Sequence, residues 1–217
     1  MSRKRVAVLI SGRGSNMSAL IEAAKAKDYP AEISLVVSNR ADAGGLALAH
    51  AARISTAVIP GKDRAAFERE LQQALEKSRI DIVCLAGFMR LLTGDFVSHW
   101  SGKLINIHPA LLPSFRGLDT HERALAAGVK IHGATVHFVV AEVDAGPIIA
   151  QGAVAVRHDD TAGTLAARVL VVEHRIYPLA LKLLAEGRVQ IERGRCSIDT
   201  MEPPAGVLIV PGDGRVE

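Results

Sequence analysis

Short apolar runs that alternate with helical segments constrain the fold of this 217-residue chain more than any other feature. The first run is continuous and apolar, which is typical of a central strand buried on both faces. The segments between the runs have the spacing of amphipathic helices. Together they predict an α/β fold: a Rossmann-like, open, mostly parallel twisted sheet with helices on both faces. The predicted strands are Val6–Ile10, Ile33–Val37, Thr56–Ile59, Ile80–Ala86 and Leu104–His108.

The pattern changes after residue 130. His132–Val140 alternates between two sides, and Ile148–Val156 follows a tight turn at Asp144–Pro147. Such alternation is typical of strands with unlike faces, so we expect antiparallel strands in the C-terminal half. A long helix over Thr161–Glu186 contains Pro178, which should kink or divide it.

Composition sets limits on the class of protein. Hydrophobic residues make up 49% of the chain and charged residues 23%, which is enough for a core and too ordinary for wholesale disorder. No repeat or low-complexity linker is present, so we predict one domain over residues 1–217, with an edge strand at Val189–Ile191 and a tail from 203 to 217. A net charge of +3 and 4% aromatic residues argue against a nucleic-acid partner.

Targeting and metal signals are also limited. The apolar run Val6–Ile10 is too short for a signal peptide, and no run reaches membrane-spanning length, so we predict a cytoplasmic protein with no membrane partner. Cys84 and Cys196 lie far apart and outside any CxxC or Cys/His spacing. We therefore expect neither a disulfide framework nor a metal site.

The stretch Leu104–Pro113 carries the first candidate for chemistry. Asn106 and His108 are two residues apart, so on a strand both project from one face. Pro109 should end the strand, which leaves His108 at the carboxyl end, where open parallel sheets bind ligands. An amide beside an imidazole can stabilise an oxygen that gains negative charge. The alternative is a pair of core residues bonded to backbone groups.

A glycine-rich turn, Gly12–Asn16, follows the first predicted strand. Free backbone N–H groups and the positive end of a helix dipole would meet there, which suits a phosphate. The alternatives are an ordinary turn capped by Ser15 or Asn16, and a dinucleotide site. The dinucleotide fingerprint has Met17 in place of its third glycine, but Arg40 would suit a 2′-phosphate, so an NADP-dependent oxidoreductase stays open.

Two further segments are weaker candidates. Gly87–Leu92 follows the fourth predicted strand and suits a flat, partly apolar ligand with an anionic end, or else a short helix whose Arg90 pairs with an acid. Asp144 lies in a turn where aspartate is common for local reasons, and the spacing does not place it near His108. The remaining candidates lack metal-ligand spacing and are interpreted as structural: His121, His132, His137 and His174.

Taken together, these motifs resemble the phosphoribosylglycinamide formyltransferase (GAR transformylase) family of folate-dependent enzymes. The resemblance extends from Val6 to about Ile191. The Asn-x-His-Pro block with its downstream Asp is shared by several enzymes that use 10-formyltetrahydrofolate, whereas the first motif is specific to the glycinamide substrate. The matching motifs are Leu9–Asn16, Leu85–Arg90, Asn106–Pro113, His132–Val139 and Asp144–Ile149.

The resemblance implies a role for each matching position. Asn106, His108 and Asp144 would form the catalytic trio. The N-terminal half, about 1–100, would bind the phosphate of glycinamide ribonucleotide, and the C-terminal half, about 101–195, would hold the folate and the catalytic groups. The implied nucleotide contacts are Gly14, Ser15, Asn16 and Glu173. The implied contacts to 10-formyltetrahydrofolate are Arg64, Met89, Arg90, Leu91, Leu92, Asn106, Val140, Val143 and Asp144.

The implied reaction is formyl transfer from 10-formyltetrahydrofolate to glycinamide ribonucleotide in de novo purine synthesis, without a metal, by a monomer or a homodimer. Leu170 departs from relatives that carry a polar nucleotide contact there. Loop 113–120 is polar and is a candidate to close over the substrate. The alternatives are a formyltetrahydrofolate hydrolase, which typically has an N-terminal regulatory domain, a methionyl-tRNA formyltransferase, which carries a C-terminal RNA-binding domain, and a ligand sensor without turnover.

Overall fold

The computed structural model describes residues 3–61, 63–199 and 210. Its main sheet has seven strands in the order β3-β2-β1-β4-β5-β6-β7. The strands are β1 (Lys4–Ile10), β2 (Ala31–Ser38), β3 (Ser55–Val58), β4 (Ile82–Leu85), β5 (Leu104–His108), β6 (Ile131–Phe138) and β7 (Ile148–Ala155). The helices are α1 (Ser15–Ala23), α2 (Gly45–Ala51), α3 (Arg64–Lys77), α4 (Gly94–His99), α5 (Thr120–Ala126) and α6 (Ala162–Ala185).

Strands β1 to β5 are mutually parallel, and β6 is antiparallel to both of its neighbours. The crossovers between parallel strands contain helices, as β-α-β units require. The mostly parallel α/β fold with antiparallel pairing in the C-terminal half is thereby confirmed.

Two hydrophobic cores cover the two faces of the sheet. Alternate residues of β1 enter different cores: Val8 packs with Leu20 of α1 and Leu181 of α6, whereas Leu9 packs with Phe67 of α3. All five side chains are fully or almost fully buried. A strand covered on both faces must be apolar throughout, which explains the continuous run in the sequence.

Helix α6 is continuous through Pro178, so the proline does not divide it, and the alternative of a kink stays a prediction. Its start is fixed by a capping box in which Thr161 and Thr164 bond each other's backbone N–H groups. The apolar face that includes Tyr177 and Leu181 is fully buried. Each such side chain contributes about 1.5–3 kcal/mol on burial, which offsets the roughly 3 kcal/mol that an interior proline costs.

The segment Val189–Ile191 forms a strand, as predicted, but it does not join the main sheet. It belongs to β8 (Val189–Glu192), which pairs with β9 (Arg195–Ile198) in a separate two-stranded sheet. Arg193 and Gly194 both have positive φ, the backbone of a two-residue hairpin turn. The backbone hydrogen bonds of β8 are therefore made to β9 and not to the main sheet. The predicted tail, 203–217, lies outside the described residues except for Val210.

Among the described helices, none combines the length and the apolar character needed to cross a membrane.

Candidate active site

The candidate site lies at the carboxyl ends of β1, β4 and β5. The strand order reverses beside β1, and in open α/β sheets ligands bind in the crevice at such a reversal. A row of paired residues crosses this edge: Leu9 pairs with Leu85, Leu85 with Asn106, and Asn106 with His137. Paired residues project from the same face of a sheet, so Asn106 and His137 lie side by side.

One face of β5 and β6 carries four polar side chains, which we call the buried polar row: Asn106, His108, Thr135 and His137. His108 is 5% exposed, and His137 is 2% exposed. A buried polar group is costly unless it is hydrogen-bonded. The partners of the row therefore determine its chemistry.

Asp144 approaches His108 from the turn between β6 and β7. Its Oδ2 lies 3.4 Å from Nδ1 of His108, and the carboxylate side chain is 11% exposed. The turn needs its two special residues: Asp144 has a φ of 51°, and a Cβ on Gly146 would lie 1.8 Å from the carbonyl oxygen of Phe138. This close approach folds the turn back onto β6. The structure thus brings together two predicted catalytic side chains that the spacing of the sequence does not connect.

Both ring nitrogens of His108 face hydrogen-bond acceptors. Nε2 lies 3.0 Å from the carbonyl oxygen of Phe115, and Nδ1 faces the carboxylate of Asp144. A neutral imidazole has one N–H and a protonated one has two, so these surroundings match the charged ring. Loop 113–120 also donates the Gly117 N–H to Asp144 at 2.9 Å. The loop therefore lies over the pair, and Nε2 becomes available to a ligand only when Phe115 moves away.

His137 fixes the orientation of Asn106, which the sequence analysis did not anticipate. Nδ1 of His137 lies 2.8 Å from the carbonyl oxygen of Phe138 and donates to it, while Nε2 lies 3.3 Å from the amide nitrogen of Asn106. Burial lowers the pKa of His137 below its ordinary 6.5, against the opposing effects of Phe138 and Asp144. The ring is therefore neutral, and its bare Nε2 accepts one amide N–H of Asn106. The second amide N–H remains for a ligand oxygen.

A signal for His137 does exist in the sequence. It lies on the same side of the alternating strand as Thr135, and in the observed register it pairs with Asn106. Knowing that β6 pairs with β5 would have placed the ring beside the amide. The pairing partner of a strand is not visible in its own residues, so the histidine was interpreted as structural.

The glycine-rich turn forms a nest of backbone N–H groups at the start of α1. Gly14 is the N-cap with a φ of 76°, and no side chain among the described residues caps this helix. The first-turn amides of a helix have no intrahelical acceptor, so they point to an open site. The turn packs tightly on α2. The N–H of Gly45 donates to the carbonyl oxygen of Gly12 at 3.0 Å, and a Cβ on Gly14 would lie only 2.8 Å from Cα of Gly45. Such a nest suits an anion.

Asn16 and Glu173 form a buried pair beside this nest. The amide of Asn16 donates to Oε2 of Glu173 at 2.6 Å, and the amide oxygen of Asn16 is buried without a described hydrogen-bond partner. Burial raises the pKa of Glu173, while Asn16, His174 and His108 oppose the rise. Since His108 is among the groups that oppose the rise, the nest and the buried polar row lie near each other.

Segment 87–92 combines exposed apolar side chains with a held backbone. Met89 is 71% exposed and Leu91 is 60% exposed. The N–H of Met89 donates to Oγ of Ser11 at 2.8 Å, which ties the segment to the end of β1. Arg90 lies over the ring of Phe67 at 4.4 Å and donates to the carbonyl of Gly61.

The other predicted contacts surround the same edge. Arg64 is exposed and is the first residue of α3. It follows Asp63, whose carbonyl oxygen accepts a hydrogen bond from Arg90 at 3.5 Å. Val140 and Val143 are 37% and 48% exposed in the turn before β7. Leu92 packs against the core under α3, and Leu170 is half-buried on α6. The roles of these residues remain predictions.

Dinucleotide binding is not supported by the same turn. Met17, which stands at the third glycine position, is fully buried in the core. Arg40 is engaged by both carboxylate oxygens of Asp42 at 3.0 and 2.7 Å. Within the described ranges, no group of three or more His, Cys, Asp or Glu side chains is arranged to hold a metal ion.

Comparisons with known proteins agree with this geometry. The Formyl transferase family matches residues 4–181. Trifunctional purine biosynthetic protein adenosine-3 from Homo sapiens is 52% identical over 197 residues, which are 89% of this chain and 20% of that protein. The chain thus spans about a fifth of the length of that relative.

Two bacterial proteins match over almost their whole length. Phosphoribosylglycinamide formyltransferase from Escherichia coli (strain K12) is 43% identical over 93% of this chain and 97% of that protein. The crystal structure of glycinamide ribonucleotide transformylase 1 from Symbiobacterium toebii superposes with a TM-score of 0.88 at 44% identity, over 90% of this chain and 94% of that one. The chain therefore belongs to the formyl transferase family.

Proposed function

We propose that this protein transfers the formyl group of 10-formyltetrahydrofolate to the amine of glycinamide ribonucleotide, giving formylglycinamide ribonucleotide in purine synthesis. The observation that carries the proposal is the approach of Asp144 to His108, 3.4 Å apart and next to the Asn106 amide. The names and close match of the bacterial relatives support the same substrates.

In the proposed reaction, the substrate amine attacks the formyl carbon and the carbonyl oxygen becomes negative. The free amide N–H of Asn106 and the protonated ring of His108 stabilise this oxyanion. Asp144 stabilises the charge on His108 and accepts the proton that the amine loses, directly or through water. The new carbon–nitrogen bond is to the glycinamide. The bond to the folate nitrogen breaks as that nitrogen takes up a proton, which replaces the one that Asp144 accepted, so that the groups of the site return to their starting state.

The phosphate of the ribonucleotide would bind at the glycine-rich turn. The N–H groups of Gly14, Ser15 and Asn16 supply an uncapped nest for a phosphomonoester. Glu173, held by Asn16, would bind the sugar hydroxyls or the glycinamide part. This arrangement delivers the amine to the face on which Asn106 lies.

The folate would cover the exposed apolar side chains at the same edge. A flat ring system that buries Met89 and Leu91 gains the free energy of removing them from water. The proposed contacts are Arg64, Met89, Arg90, Leu91, Leu92, Asn106, Val140, Val143 and Asp144.

The wider assignment follows from this reaction. Residues 1–217 would form one formyltransferase domain, with small-molecule substrates and no metal or nucleic-acid partner, acting in the cytoplasm as a monomer or a homodimer. The relatives named above are transferases of purine synthesis, so a hydrolase, a methionyl-tRNA formyltransferase and an NADP-dependent oxidoreductase are not favoured.

The direct test is to mix the protein with 10-formyltetrahydrofolate and glycinamide ribonucleotide and to follow the folate absorbance. We expect deformylation of the folate that depends on the ribonucleotide. Equal deformylation without the ribonucleotide would indicate a hydrolase, and turnover that requires NADPH instead would indicate an oxidoreductase. Either result would overturn the proposal.

A further inference from the structure

The hydroxyl of Tyr177 joins the two strands that lead into the site. Tyr177 lies on α6 and is fully buried. Its hydroxyl donates to the carbonyl of Leu85 at 2.8 Å and lies 3.3 Å from the carbonyl of Ile105. Leu85 is the last residue of β4, and Ile105 directly precedes Asn106 on β5. The Tyr177 hydroxyl therefore contacts the backbone of both strands at the point where Leu85 pairs with Asn106.

Packing alone does not account for this hydroxyl. A phenylalanine would fill nearly the same volume without the cost of burying a polar group. The thiol of Cys84 also lies against the hydroxyl, and burial raises the pKa of Cys84 to about 12 and that of Tyr177 well above its ordinary 10. Both groups stay neutral at working pH, so the link between the strands does not change as the pH varies.

The same face of α6 carries Glu173, one helical turn before Tyr177. Four residues of an α-helix rise about 6 Å, so the two side chains are held at a fixed spacing. Glu173 bonds Asn16 at the nest, and Tyr177 bonds the ends of β4 and the neighbour of Asn106. Helix α6 is therefore a rigid connection between the proposed ribonucleotide site and the amide that faces the formyl oxygen.

We propose that Tyr177 is a positioning residue, whose hydroxyl holds the Asn106 amide at the correct distance from the ribonucleotide bound beside Glu173. This proposal rests on the proposed function, because its effect appears in formyl transfer. Misplacing a catalytic group by 1 Å can cost about 100-fold in rate. Loss of one anchoring hydrogen bond, with the ring still packed, should lower kcat by about tenfold.

The chain offers a matched control in its other tyrosine. Tyr29 is 7% exposed, and its hydroxyl donates to the carbonyl of Pro178 at 2.7 Å, on α6 rather than on β4 or β5. Tyr177→Phe and Tyr29→Phe each remove one buried hydroxyl bonded to a backbone carbonyl. Both should lower the melting temperature. Only Tyr177→Phe should lower kcat, by about tenfold, with the KM for glycinamide ribonucleotide within about twofold and an unchanged pH profile.

The wild-type protein is assayed first, with 10-formyltetrahydrofolate and glycinamide ribonucleotide. Absence of turnover there overturns the proposed function. With an active wild type, the positioning role is overturned alone if Tyr177→Phe keeps kcat within about twofold of wild type, loses no more than Tyr29→Phe, or changes only KM. If Tyr177→Phe does not fold, Cys84→Ser places a competing hydroxyl against Tyr177. That variant should lower kcat with KM unchanged, and wild-type kcat in it overturns the role.

Discussion

The buried polar row and segment 87–92 border the same site but are built in opposite ways. In the row, His108 and His137 are at most 5% exposed, and each ring is held by a carbonyl and faces the same carboxylate. In the segment, the side chains of Met89 and Leu91 are more than half exposed, although the backbone that carries them is held by Ser11. The contacts within the row are formed in the free protein, whereas Met89 and Leu91 would gain contacts from a bound ligand.

Because of this difference, we expect the buried polar row to act in catalysis and the exposed side chains of segment 87–92 to act in ligand binding. A satisfied polar network in a low-dielectric site is rigid and strengthens the interactions within it, so changes there should act on kcat and on stability. Exposed apolar side chains contribute free energy only when a ligand covers them. Changes at Met89 and Leu91 should therefore act on the KM for the folate and leave the fold intact.

The largest expected effect of the series comes from Asp144→Asn. The substitution removes the only charge that faces both His108 at 3.4 Å and His137 at 3.7 Å among the described contacts. We expect kcat to fall by about 10²–10³, with little change in the KM for glycinamide ribonucleotide. Steady-state kinetics give both constants. Glu142→Gln, an exposed carboxylate in the same turn, is the control and should keep the wild-type kcat; equal losses in the two variants would show that turn structure, not charge, matters.

Gly14→Ala tests the nest. The new Cβ would lie 2.8 Å from Cα of Gly45, and the backbone φ of 76° disfavours any L side chain. The strain is about 1–3 kcal/mol, so we expect a lower melting temperature and a KM for glycinamide ribonucleotide that rises about tenfold or more. At Gly12 a Cβ would meet nothing within 4 Å, and no positive φ is present. Gly12→Ala should behave like wild type, and a matching rise in its KM would contradict the assigned geometry.

The buried histidines of β6 should make the fold sensitive to acid. Burial lowers the pKa of His132 from 6.5 to about 4, and that of His137 falls as well. As the pH drops, the histidines of the unfolded chain take up protons before those of the folded chain. The contribution of the neutral rings to the free energy of unfolding is therefore fully present above about pH 6.5 and is lost as the pH falls from 6.5 to 4. Urea unfolding across this range should show a shallower pH dependence for His132→Asn. His158, whose side chain is 97% exposed, gives the control variant His158→Asn, which should follow wild type. An unchanged slope in His132→Asn would contradict the assignment.

The smallest effects are expected in segment 87–92. Met89→Ala and Leu91→Ala should each raise the KM for 10-formyltetrahydrofolate a few-fold, since each removes roughly 1 kcal/mol of ligand burial. The melting temperature and kcat should not change, because both side chains are exposed in the free protein. Leu48, 46% exposed on α2, supplies the control variant Leu48→Ala. Loss of stability or of kcat in the segment variants would remove the contrast with the buried polar row.

The centre of the sheet was predictable from the sequence because β1 and β4 are buried on both faces. A run such as Val6–Ile10 has no other stable place than the interior. The short helices α4 and α5 were not predicted. Helix α4 has six residues and α5 has seven, too short for an apolar period to appear. Pro178 does not divide α6, because the tertiary packing of the helix outweighs a local preference.

The site was predictable in its residues and not in its arrangement. Asn106 and His108 share a strand, so their common face follows from the two-residue period. Asp144 reaches them only through a turn that depends on Gly146 approaching Phe138, a contact that no local pattern reveals. The place of His137 depends on which strand pairs with β5. Loop 113–120 closes over His108 through backbone atoms of Phe115 and Gly117, which carry no side-chain signal.

The most direct test of the account is the effect of His108→Ala on two separate quantities, the kcat of formyl transfer and the Kd of glycinamide ribonucleotide. In the proposed reaction the ring supplies one donor to the oxyanion and does not contact the phosphate, so kcat should fall by about 10²–10³ while Kd stays unchanged. Full activity in this variant would contradict the proposed convergence of Asn106, His108 and Asp144 on the formyl group.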